Sequence, residues 1–448
     1  MMFKIIDCSQ RIEANWNWDT TTFISQAYKN KDQFQEFGLK WFGNGFTYIT
    51  TPKWIDINLK NLDDYDLSLF CGPAIILNFS NEKIDANTLK EKLNNINLSN
   101  INICIISTGH SKDFTIKDFN YWRKTPEIST DVIDILKDFQ IKHLVLDFNC
   151  ESIQSKRNDS KYDFLNPNHD FKIKLLESDI LLTENFVSNQ KINETFYMGL
   201  PLSIPNGSTS PTRPVLIDEW FNKTGNIIDI ATPLFNHWRW KLDIWENTYK
   251  DQFGKLRNEP NFIFAGHGFN HCDAPIHMKH DGKTIQDLPN EGLDIFINQA
   301  NLVDLSEFDL PFKVTKDMIE SRIDTNNKKE LIILRSDLTN KVGYESKEWH
   351  LKAPSIELDA AKWIADNGFK SVCLDFPQDY IAREMPDRVV YNEEFEIHHT
   401  IFDSGCTFIE DLMDLGKISN STTQICAIPL KMDCFDGAPM RTIAIDWN

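Results

Sequence analysis

Three histidines and an aspartate cluster within residues 266–277, which read GHGFNHCDAPIH. His271 and Asp273 are two positions apart, so on an extended strand both side chains project from the same face. Pro275 then interrupts the strand, and a turn at that point can bring His277 back toward the same place. Imidazole and carboxylate ligands without a thiolate are typical of sites for Zn²⁺, Mn²⁺ or Fe²⁺. The segment therefore predicts a metal site.

An earlier segment has the same frame without these side chains. Residues 43–54 read GNGFTYITTPKW and keep Gly-x-Gly-Phe together with a proline ten positions after the first glycine. The positions of the three histidines and the aspartate are occupied here by Asn44, Tyr48, Thr50 and Trp54. A solvated loop is the alternative explanation for the histidine cluster. The earlier copy weakens this alternative, because it keeps the backbone-shaping residues and shows that the fold does not need the four polar side chains.

The repeat extends along the whole chain, and its offset drifts only from 222 to 228 positions. The aligned segments share apolar runs and prolines in the same order: IIDCSQRI (5–12) with IIDIATPL (227–234), ICIISTGHS (103–111) with LIILRSDLT (331–339), HLVLDF (143–148) with SVCLDF (371–376), and LPLSIPNGSTSPTR (200–213) with IPLKMDCFDGAPMR (428–441). We infer a tandem duplication with domains at 1–218 and 226–448, since self-similarity at a long, nearly fixed period indicates repeated units.

Each half has the pattern of a mixed α/β domain. Short apolar runs typical of buried strands occur at 101–107, 143–148, 331–335 and 371–376. Helical spacing occurs between them at 127–139 and 355–369. For the second helix we expect Ser355 as the N-cap and Asn367-Gly368 as the C-terminal end. The order strand, helix, strand predicts helices layered on a sheet. The segments around 160–170 and 205–214 are expected to be loops.

Composition limits the partners of the protein. In 448 residues, 66 acidic residues face 47 basic ones, which gives a formal charge of −19. Such a field repels nucleic acid and anionic membrane surfaces, so we expect neither as a partner. Nine cysteines without a framework of spacings indicate reduced thiols. We find no secretory leader and no long apolar stretch, and we therefore expect a cytoplasmic protein.

A serine or cysteine nucleophile is not favoured. The sequence contains no G-x-S-x-G elbow. Cys272 lies between His271 and Asp273, so on a strand its side chain projects from the opposite face.

HGFNHCDAPIH resembles the H-x-G-T-H-x-D-x-P-x-H signature of the cyclase-like metal hydrolases, the family that contains bacterial kynurenine formamidase and isatin hydrolase. Further segments resemble that family's motifs in the family's order: IIDIATPL, LIILRSDLT with Trp349 and LDF, HHTIFDSGCTFIEDL, and IPLKMDCFDGAPMR. The resemblance implies two tandem swivelling β/β/α domains. It also implies a pocket that a neighbouring subunit helps to wall. A fused pair of domains would then form an intramolecular pseudo-dimer, with further homo-oligomers left open.

The resemblance implies a metal site with one or two divalent ions, Zn or Mn. Its implied ligands are His271, Asp273, His277, His398 and Glu410. The carboxylates of Asp273 and Glu410 would bridge two ions, and Glu410 is also an implied catalytic residue. His280 matches the position of the family's proposed general acid/base, and the alternative is that it is only a loop residue. His399 is the alternative to His398 if the alignment contains a gap. In the family, the position of His267 more often contacts a metal ligand than the metal itself.

The sequence departs from the family signature at one place. Phe269-Asn270 stands where the family has Gly-Thr. A phenylalanine requires an ordinary negative φ and adds bulk beside the site, so we expect the departure to bear on the substrate class. In the first half the corresponding ligand positions are Tyr48, Thr50, Trp54, Lys172 and Glu184. Only Glu184 can still bind a metal, and we expect Lys172 to repel a cation, so this half should bind none.

These observations predict a metal-dependent hydrolase that acts on a small-molecule amide, formamide, lactam or lactone through a metal-activated water. His280 would pass a proton to the leaving group. One alternative is a cyclase or dehydratase in specialised metabolite biosynthesis, and another is a non-catalytic protein that binds a small molecule. The aromatic segments at 15–23 and 235–245 are candidate pocket walls, although packing within the domains explains them equally well.

Overall fold

A computed structural model describes residues 3–15, 21–26, 36–43, 45–150, 170–187, 193–237, 239–240, 242–250, 256–385, 387–433 and 436–448. The chain forms two compact units. The first unit contains Met1–Thr21, Trp41–Lys223 and Ile244–Phe262. The second unit contains Thr22–Lys40, Thr224–Asp243 and Ile263–Asn448. Each unit therefore has its own set of internal contacts and is described separately.

The two units differ from two contiguous domains at 1–218 and 226–448 in one respect. The segment Thr22–Lys40 comes from the first half of the sequence but belongs to the second unit, and Ile244–Phe262 shows the reverse. We call these segments the exchanged arms. Their strands are Thr21–Gln26 and Glu36–Phe42 in one arm, and Leu242–Lys250 and Leu256–Ala265 in the other. The repeat pattern could not predict this exchange. The two arms lie at equivalent positions in the two copies, so the alignment is the same whether an arm packs with its own half or with the other half.

The first unit contains a nine-stranded mixed sheet. In order across the sheet its strands are Ile6–Asp7, Val215–Ile217, Glu194–Met198, Cys71–Asn78, Ile103–Ser107, His143–Leu146, Leu181–Glu184, Tyr48–Thr50 and Thr209–Pro211. The four strands from Cys71–Asn78 to Leu181–Glu184 are parallel, as expected where helices connect successive strands. The described helices are Ala86–Leu93, His110–Asp113, Phe119–Arg123, Val132–Asp138 and Asp170–Glu177. Apolar residues of Ala86–Leu93, Val132–Asp138 and Asp170–Glu177 pack on one face of the parallel strands.

The second unit contains an eight-stranded mixed sheet. In order its strands are Gly225–Asp229, Gly437–Trp447, His271–Asp273, Thr407–Glu410, Ser371–Leu374, Leu331–Arg335, Ile297–Asp304 and Thr422–Pro429. The last strand also pairs with Gly437–Trp447, which closes the sheet into a barrel. The described helices are Leu293–Phe296, Lys316–Glu320, Leu338–Val342, Glu348–Leu351, Leu358–Asp366 and Glu396–Asp403. A small parallel pair joins Lys313–Val314 to Ser355–Ile356.

The two units repeat the same strand register. Tyr48 lies opposite Glu184 in one antiparallel pair, and His271 lies opposite Glu410 in the equivalent pair. An arginine near the end of each half also donates to an aspartate near its start. Arg213 Nη2 lies 2.9 Å from Asp7 Oδ2, and Arg441 Nη2 lies 2.5 Å from Asp229 Oδ2. Corresponding positions in the sequence thus occupy corresponding positions in the fold.

The predicted mixed α/β class is confirmed. Described strands and helices lie within each of the predicted segments, and Gly368, at a φ of 67°, follows the helix Leu358–Asp366. The prediction of Ser355 as the N-cap of this helix is wrong. Ser355 belongs to a strand, and Glu357 occupies the N-cap position. The loop predicted around 205–214 is interrupted by the strand Thr209–Pro211. The loop predicted around 160–170 lies outside the described residues up to position 169. Among the described helices, none is long and apolar enough to cross a membrane.

The expectation of an ordinary φ at Phe269 is wrong. Phe269 has a φ of 60°, and Phe46, its counterpart in the first unit, has a φ of 63°. Both side chains are fully buried. Around Phe269, the rings of Phe235 and Tyr344 lie 5.4 and 5.7 Å away, and its N–H donates to the Tyr344 hydroxyl at 2.9 Å. Packing of the ring holds the backbone in a left-handed conformation that a bulky residue rarely adopts.

We predict an unusual order of stability at this position. Phe269→Ala and Phe269→Gly both lose the buried ring, which costs about 3–5 kcal/mol. Only glycine also relieves the left-handed backbone, a gain of about 1–2 kcal/mol. The glycine variant should therefore be the more stable of the two, as measured by denaturant unfolding, and the same order is expected at Phe46. An alanine variant as stable as the glycine variant would contradict backbone strain at these positions.

Candidate metal centre

The strand His271–Asp273 lies between two others and is buried. It pairs with Thr407–Glu410 on one side and with Gly437–Trp447 on the other. Just before it, the Asn270 side chain donates to the Glu410 carbonyl at 3.0 Å and accepts from the Thr442 N–H at 2.8 Å. Asn270, which departs from the family signature, thus ties the start of the strand to both neighbours and fixes the position of His271.

Two groups of possible ligands share Asp273. One contains His267, Asp273 and His277, and the other contains His271, Asp273 and Glu410, with the ligand atoms of each group within 4.8 Å of one another. The Nδ1 atom of His267 lies 2.8 Å from Asp273 Oδ1. The Nε2 atom of His271 lies 3.2 Å from the same oxygen and 3.8 Å from Glu410 Oε2. Asp273 is therefore common to both groups, and His267 belongs to one of them.

His398 comes to the same place from the helix Glu396–Asp403. Its Nε2 atom lies 3.7 Å from Asp273 Oδ2 and 3.7 Å from Glu410 Oε1. Its Nδ1 atom lies 2.6 Å from Asp379 Oδ2, an arrangement that fixes the ring of a metal-binding histidine. The neighbouring His399 instead has its Nε2 atom 3.0 Å from the Asn392 carbonyl and is not among the residues that line the pocket. The geometry thus favours His398 over His399.

His280 is not brought to these residues. It is exposed, and it lies in a turn closed by a hydrogen bond of 2.8 Å from the Gly282 N–H to the Lys279 carbonyl. Because this turn follows the helical turn Pro275–His277, it carries His280 to the surface rather than into the pocket. A role for His280 as the general acid/base stays a prediction that this geometry does not support.

The site gathers charges that shift one another's pKa values. Burial alone would lower the pKa of the imidazoles, but neighbouring carboxylates outweigh it and raise the pKa of His271 to about 9 and that of His398 to about 10. Burial raises the pKa of the Glu410 carboxyl to about 7, with a further contribution from Asp273. Burial would also raise the pKa of Asp273, yet the neighbouring His267 and His271 hold it well below its usual range. The carboxylates thus attract positive charge to the centre of the site.

The residues fit a divalent ion. In the described part of the chain, Asp273 Oδ1, His267 Nδ1 and Asp436 Oδ1 are buried and have no hydrogen-bond partner of suitable geometry, although the first two atoms lie close together. Buried polar atoms in proteins are nearly always satisfied, so orphaned atoms indicate a missing partner. Imidazole nitrogens and carboxylate oxygens without a thiolate suit Zn²⁺ or Mn²⁺.

Several residues that surround the ligands are not indicated by the sequence motifs. Asp436 Oδ2 lies 2.5 Å from His267 Nε2 and 3.5 Å from His277 Nδ1. The Gln378 amide nitrogen lies 2.9 Å from His398 Nε2 and donates to Glu410 Oε1 at 2.5 Å. The contrast between copies could have found Asp436, because the aligned position in the first half is Ser208. The same comparison places a cysteine, Cys150, opposite Gln378.

A pocket opens onto the ligands. Its walls include Arg239 and Trp240 from the candidate segment 235–245, together with Trp349 and Phe395. One wall residue, Glu36, comes from the first half of the sequence through the exchanged arm of the second unit. The first half therefore contributes to the pocket. Of the other candidate segment, 15–23, positions 16–20 lie outside the described residues.

The equivalent place in the first unit contains an internal cation. Lys172 Nζ lies 2.9 Å from Glu184 Oε2 and 3.1 Å from the Tyr48 hydroxyl, and both charged side chains are almost completely buried. Tyr48 donates to the same carboxylate at 2.5 Å, and the Cys150 N–H donates to its other oxygen at 2.9 Å. The ammonium also lies 4.7 Å from the centre of the Trp54 ring. Lys172 thus neutralises Glu184, the carboxylate that corresponds to Glu410.

Comparison with known proteins supports the assignment made from the motifs. Residues 202–378 match the family model described as "Putative cyclase". This part of the chain is therefore similar to the cyclase family, and a tandem duplication agrees with matches that cover about half of the chain. Kynurenine formamidase of Bacillus cereus is 24% identical over 225 residues, which are 49% of this chain and 98% of the relative. Kynurenine formamidase of Geobacillus thermodenitrificans is 25% identical over 224 residues, which are 48% of this chain and 94% of the relative.

Some solved structures are similar to about half of this chain. Isatin hydrolase A from Labrenzia aggregata, bound to benzyl benzoate, matches with a TM-score of 0.41 and 18% identity. The match covers 49% of this chain and 93% of that protein.

The internal cation gives a prediction for the first unit. Lys172→Met leaves the Glu184 carboxylate buried without its positive partner, which costs about 3–5 kcal/mol of unfolding free energy. Lys174→Met, on the exposed side of the same helix, should change stability by less than about 0.5 kcal/mol. Denaturant unfolding of both variants provides the measurement. Equal stability of the two variants would show that Lys172 does not compensate Glu184.

Proposed function

We propose that the second unit is a divalent metal-dependent hydrolase that cleaves the C–N bond of a small formamide, amide or lactam, or the corresponding ester bond of a lactone. The observation that carries the proposal is the position of Asp273. Its two oxygens lie within 4 Å of His267, His271 and His398, at a site that lines a pocket. The resemblance to kynurenine formamidases covers about half of this chain and supports formamides as the first substrate class to test.

The roles of the residues follow from their positions. When bound by these ligands, a divalent ion polarises a substrate carbonyl and makes water more acidic. Asp379 accepts from His398 Nδ1 and keeps Nε2 directed at the two carboxylates. The Gln378 amide holds one oxygen of Glu410, which leaves the other to exchange a proton. Of the two residues expected to move protons, Glu410 lines the pocket and His280 does not, so we propose Glu410 as the proton-transferring group.

We propose that the first unit is non-catalytic. Its carboxylate at the equivalent position, Glu184, is already paired with Lys172, Tyr48 and a backbone N–H. A divalent ion at this place would have to displace a buried ammonium, which opposes binding because like charges repel at short range.

Adjacent histidines provide a matched test of the proposal. His398→Ala should lose bound Zn or Mn and most of the hydrolysis of a formamide such as N-formylkynurenine, because it removes a ligand. His399→Ala should keep both, since its imidazole contacts the Asn392 carbonyl instead. Elemental analysis of protein purified without chelator gives the metal content, and formate release gives the activity.

Two results of these measurements would contradict the proposal. Metal-free wild-type protein that also refuses Zn²⁺ and Mn²⁺ on reconstitution would rule out the hydrolase. Loss of metal in His399→Ala with retention in His398→Ala would instead overturn the assignment of the ligand.

A further inference from the structure

Arg239 is a cation in the pocket wall that no described carboxylate pairs with. Its Nη1 atom contacts His350 Nε2, and its Nη2 atom donates to Met385 Sδ at 3.1 Å. Burial lowers the pKa of the His350 imidazole to about 3, so this partner is a neutral acceptor. Within the described part of the chain, no carboxylate oxygen lies within 4 Å of the guanidinium. The guanidinium thus lines the pocket with two neutral acceptors as its described hydrogen-bond partners.

The wall beside Arg239 has a second donor without an acceptor. The guanidinium lies over the Trp240 ring, 4.3 Å from its centre. The indole Nε1–H is buried and has no hydrogen-bond partner among the described residues. Buried donors are nearly always satisfied. Arg239 thus presents its guanidinium to the pocket beside Trp240, whose indole N–H has no acceptor among the described residues.

The other residues of the pocket wall indicate the shape of the substrate that would bind beside Arg239. The pocket is lined by Trp240, Trp349, Met385 and Phe395. Together these side chains form an apolar surface that suits an aromatic or other flat apolar group. The carboxylate and imidazole ligands line the same pocket. A substrate that spans this pocket would place its reacting carbonyl at the metal ligands and its anionic group at Arg239.

We propose that Arg239 binds a carboxylate group carried by the substrate. The planar fork of the guanidinium matches the two oxygens of a carboxylate, and such charge-assisted pairs are strong and directional. This inference rests on the proposed function for the reaction, but the recognition of a carboxylate by Arg239 can be tested without turnover. Arg239 is thereby a specificity-determining residue.

Glu36 also lines the pocket and bears on the charge of the substrate. Asp411, which also lines the pocket, interacts favourably with the charge of Arg239, and so does Glu36 from the exchanged arm. The negative charge of Glu36 opposes a carboxylate at long range. Glu36→Gln should therefore strengthen carboxylate binding while Arg239→Met weakens it, which provides two variants with opposite expected signs in one pocket.

Binding of benzoate and of benzamide tests the proposal directly. The two probes have nearly the same shape and differ in charge, and Trp240 and Trp349 in the wall allow their binding to be followed by fluorescence. We expect Arg239→Met to weaken benzoate binding about 10- to 100-fold and to change benzamide binding by less than about 2-fold. Arg239→Lys should fall between, because it keeps the charge and loses the fork. Unchanged benzamide binding also shows that the variant is folded.

Two results would overturn the proposal. Equal losses of benzoate and benzamide would mean that Arg239 shapes the pocket without recognising charge. Benzoate binding that survives Arg239→Met and disappears in Asp273→Ala would mean that the carboxylate binds at the metal centre instead.

Kinetics separate this proposal from the proposed function. N-formylanthranilate is formanilide with an added carboxylate, and the wild-type ratio of their kcat/KM values should favour the former. Arg239→Met should reduce that ratio about 10-fold or more, mainly through KM. If neither formamide is hydrolysed, the proposed function fails for this substrate class while the benzoate result still decides the role of Arg239. If both are hydrolysed with a ratio that Arg239→Met does not change, the reaction stands and the inference falls.

Discussion

A buried carboxylate that requires a neighbouring positive charge is the constraint on which both units depend. Glu184 and Glu410 occupy the same place, at the end of a strand and opposite the start of the short strand Tyr48–Thr50 or His271–Asp273. A carboxylate removed from water without a positive partner is strongly unfavourable. In the first unit Lys172 supplies the charge and Tyr48 supplies a hydrogen bond. In the second unit the corresponding residues are imidazoles, and the charge they suit is that of a divalent ion.

The surrounding fold holds these groups in fixed positions. Antiparallel pairing sets residue against residue across the two strands, so a histidine at position 271 must face Glu410. The helix Glu396–Asp403 approaches from the side and is anchored by Asp379, which accepts from the backbone N–H of Ile397 and from His398. The exchanged arm then adds Glu36 to the pocket. A duplicated chain can thus change the chemistry of one copy while the scaffold of both stays the same.

Much of the site could be predicted from the sequence because the two copies serve as controls for each other. Side chains that differ between copies on a shared backbone are those the fold does not require, and this difference predicts a functional role for His271, Asp273 and His277. Three features escaped this comparison. The left-handed backbone at Phe269 was missed because both copies have phenylalanine there, and only the packing of its ring shows why a bulky residue tolerates it. The exchange of arms leaves no trace in a repeat alignment. His280 was placed by its spacing from His277, but the turn between them decides its direction.

The difference in charge compensation between the copies can be measured most directly by anomalous diffraction from crystals grown with Mn²⁺ and, separately, with Zn²⁺. We predict one or two strong anomalous peaks within ligand distance of Asp273, with His271, His398 and Glu410 around them. We predict no peak beside Glu184, where the Lys172 ammonium should remain. A peak beside Glu184 with Lys172 displaced, or the absence of any peak at Asp273 with either ion, would contradict this difference between the copies.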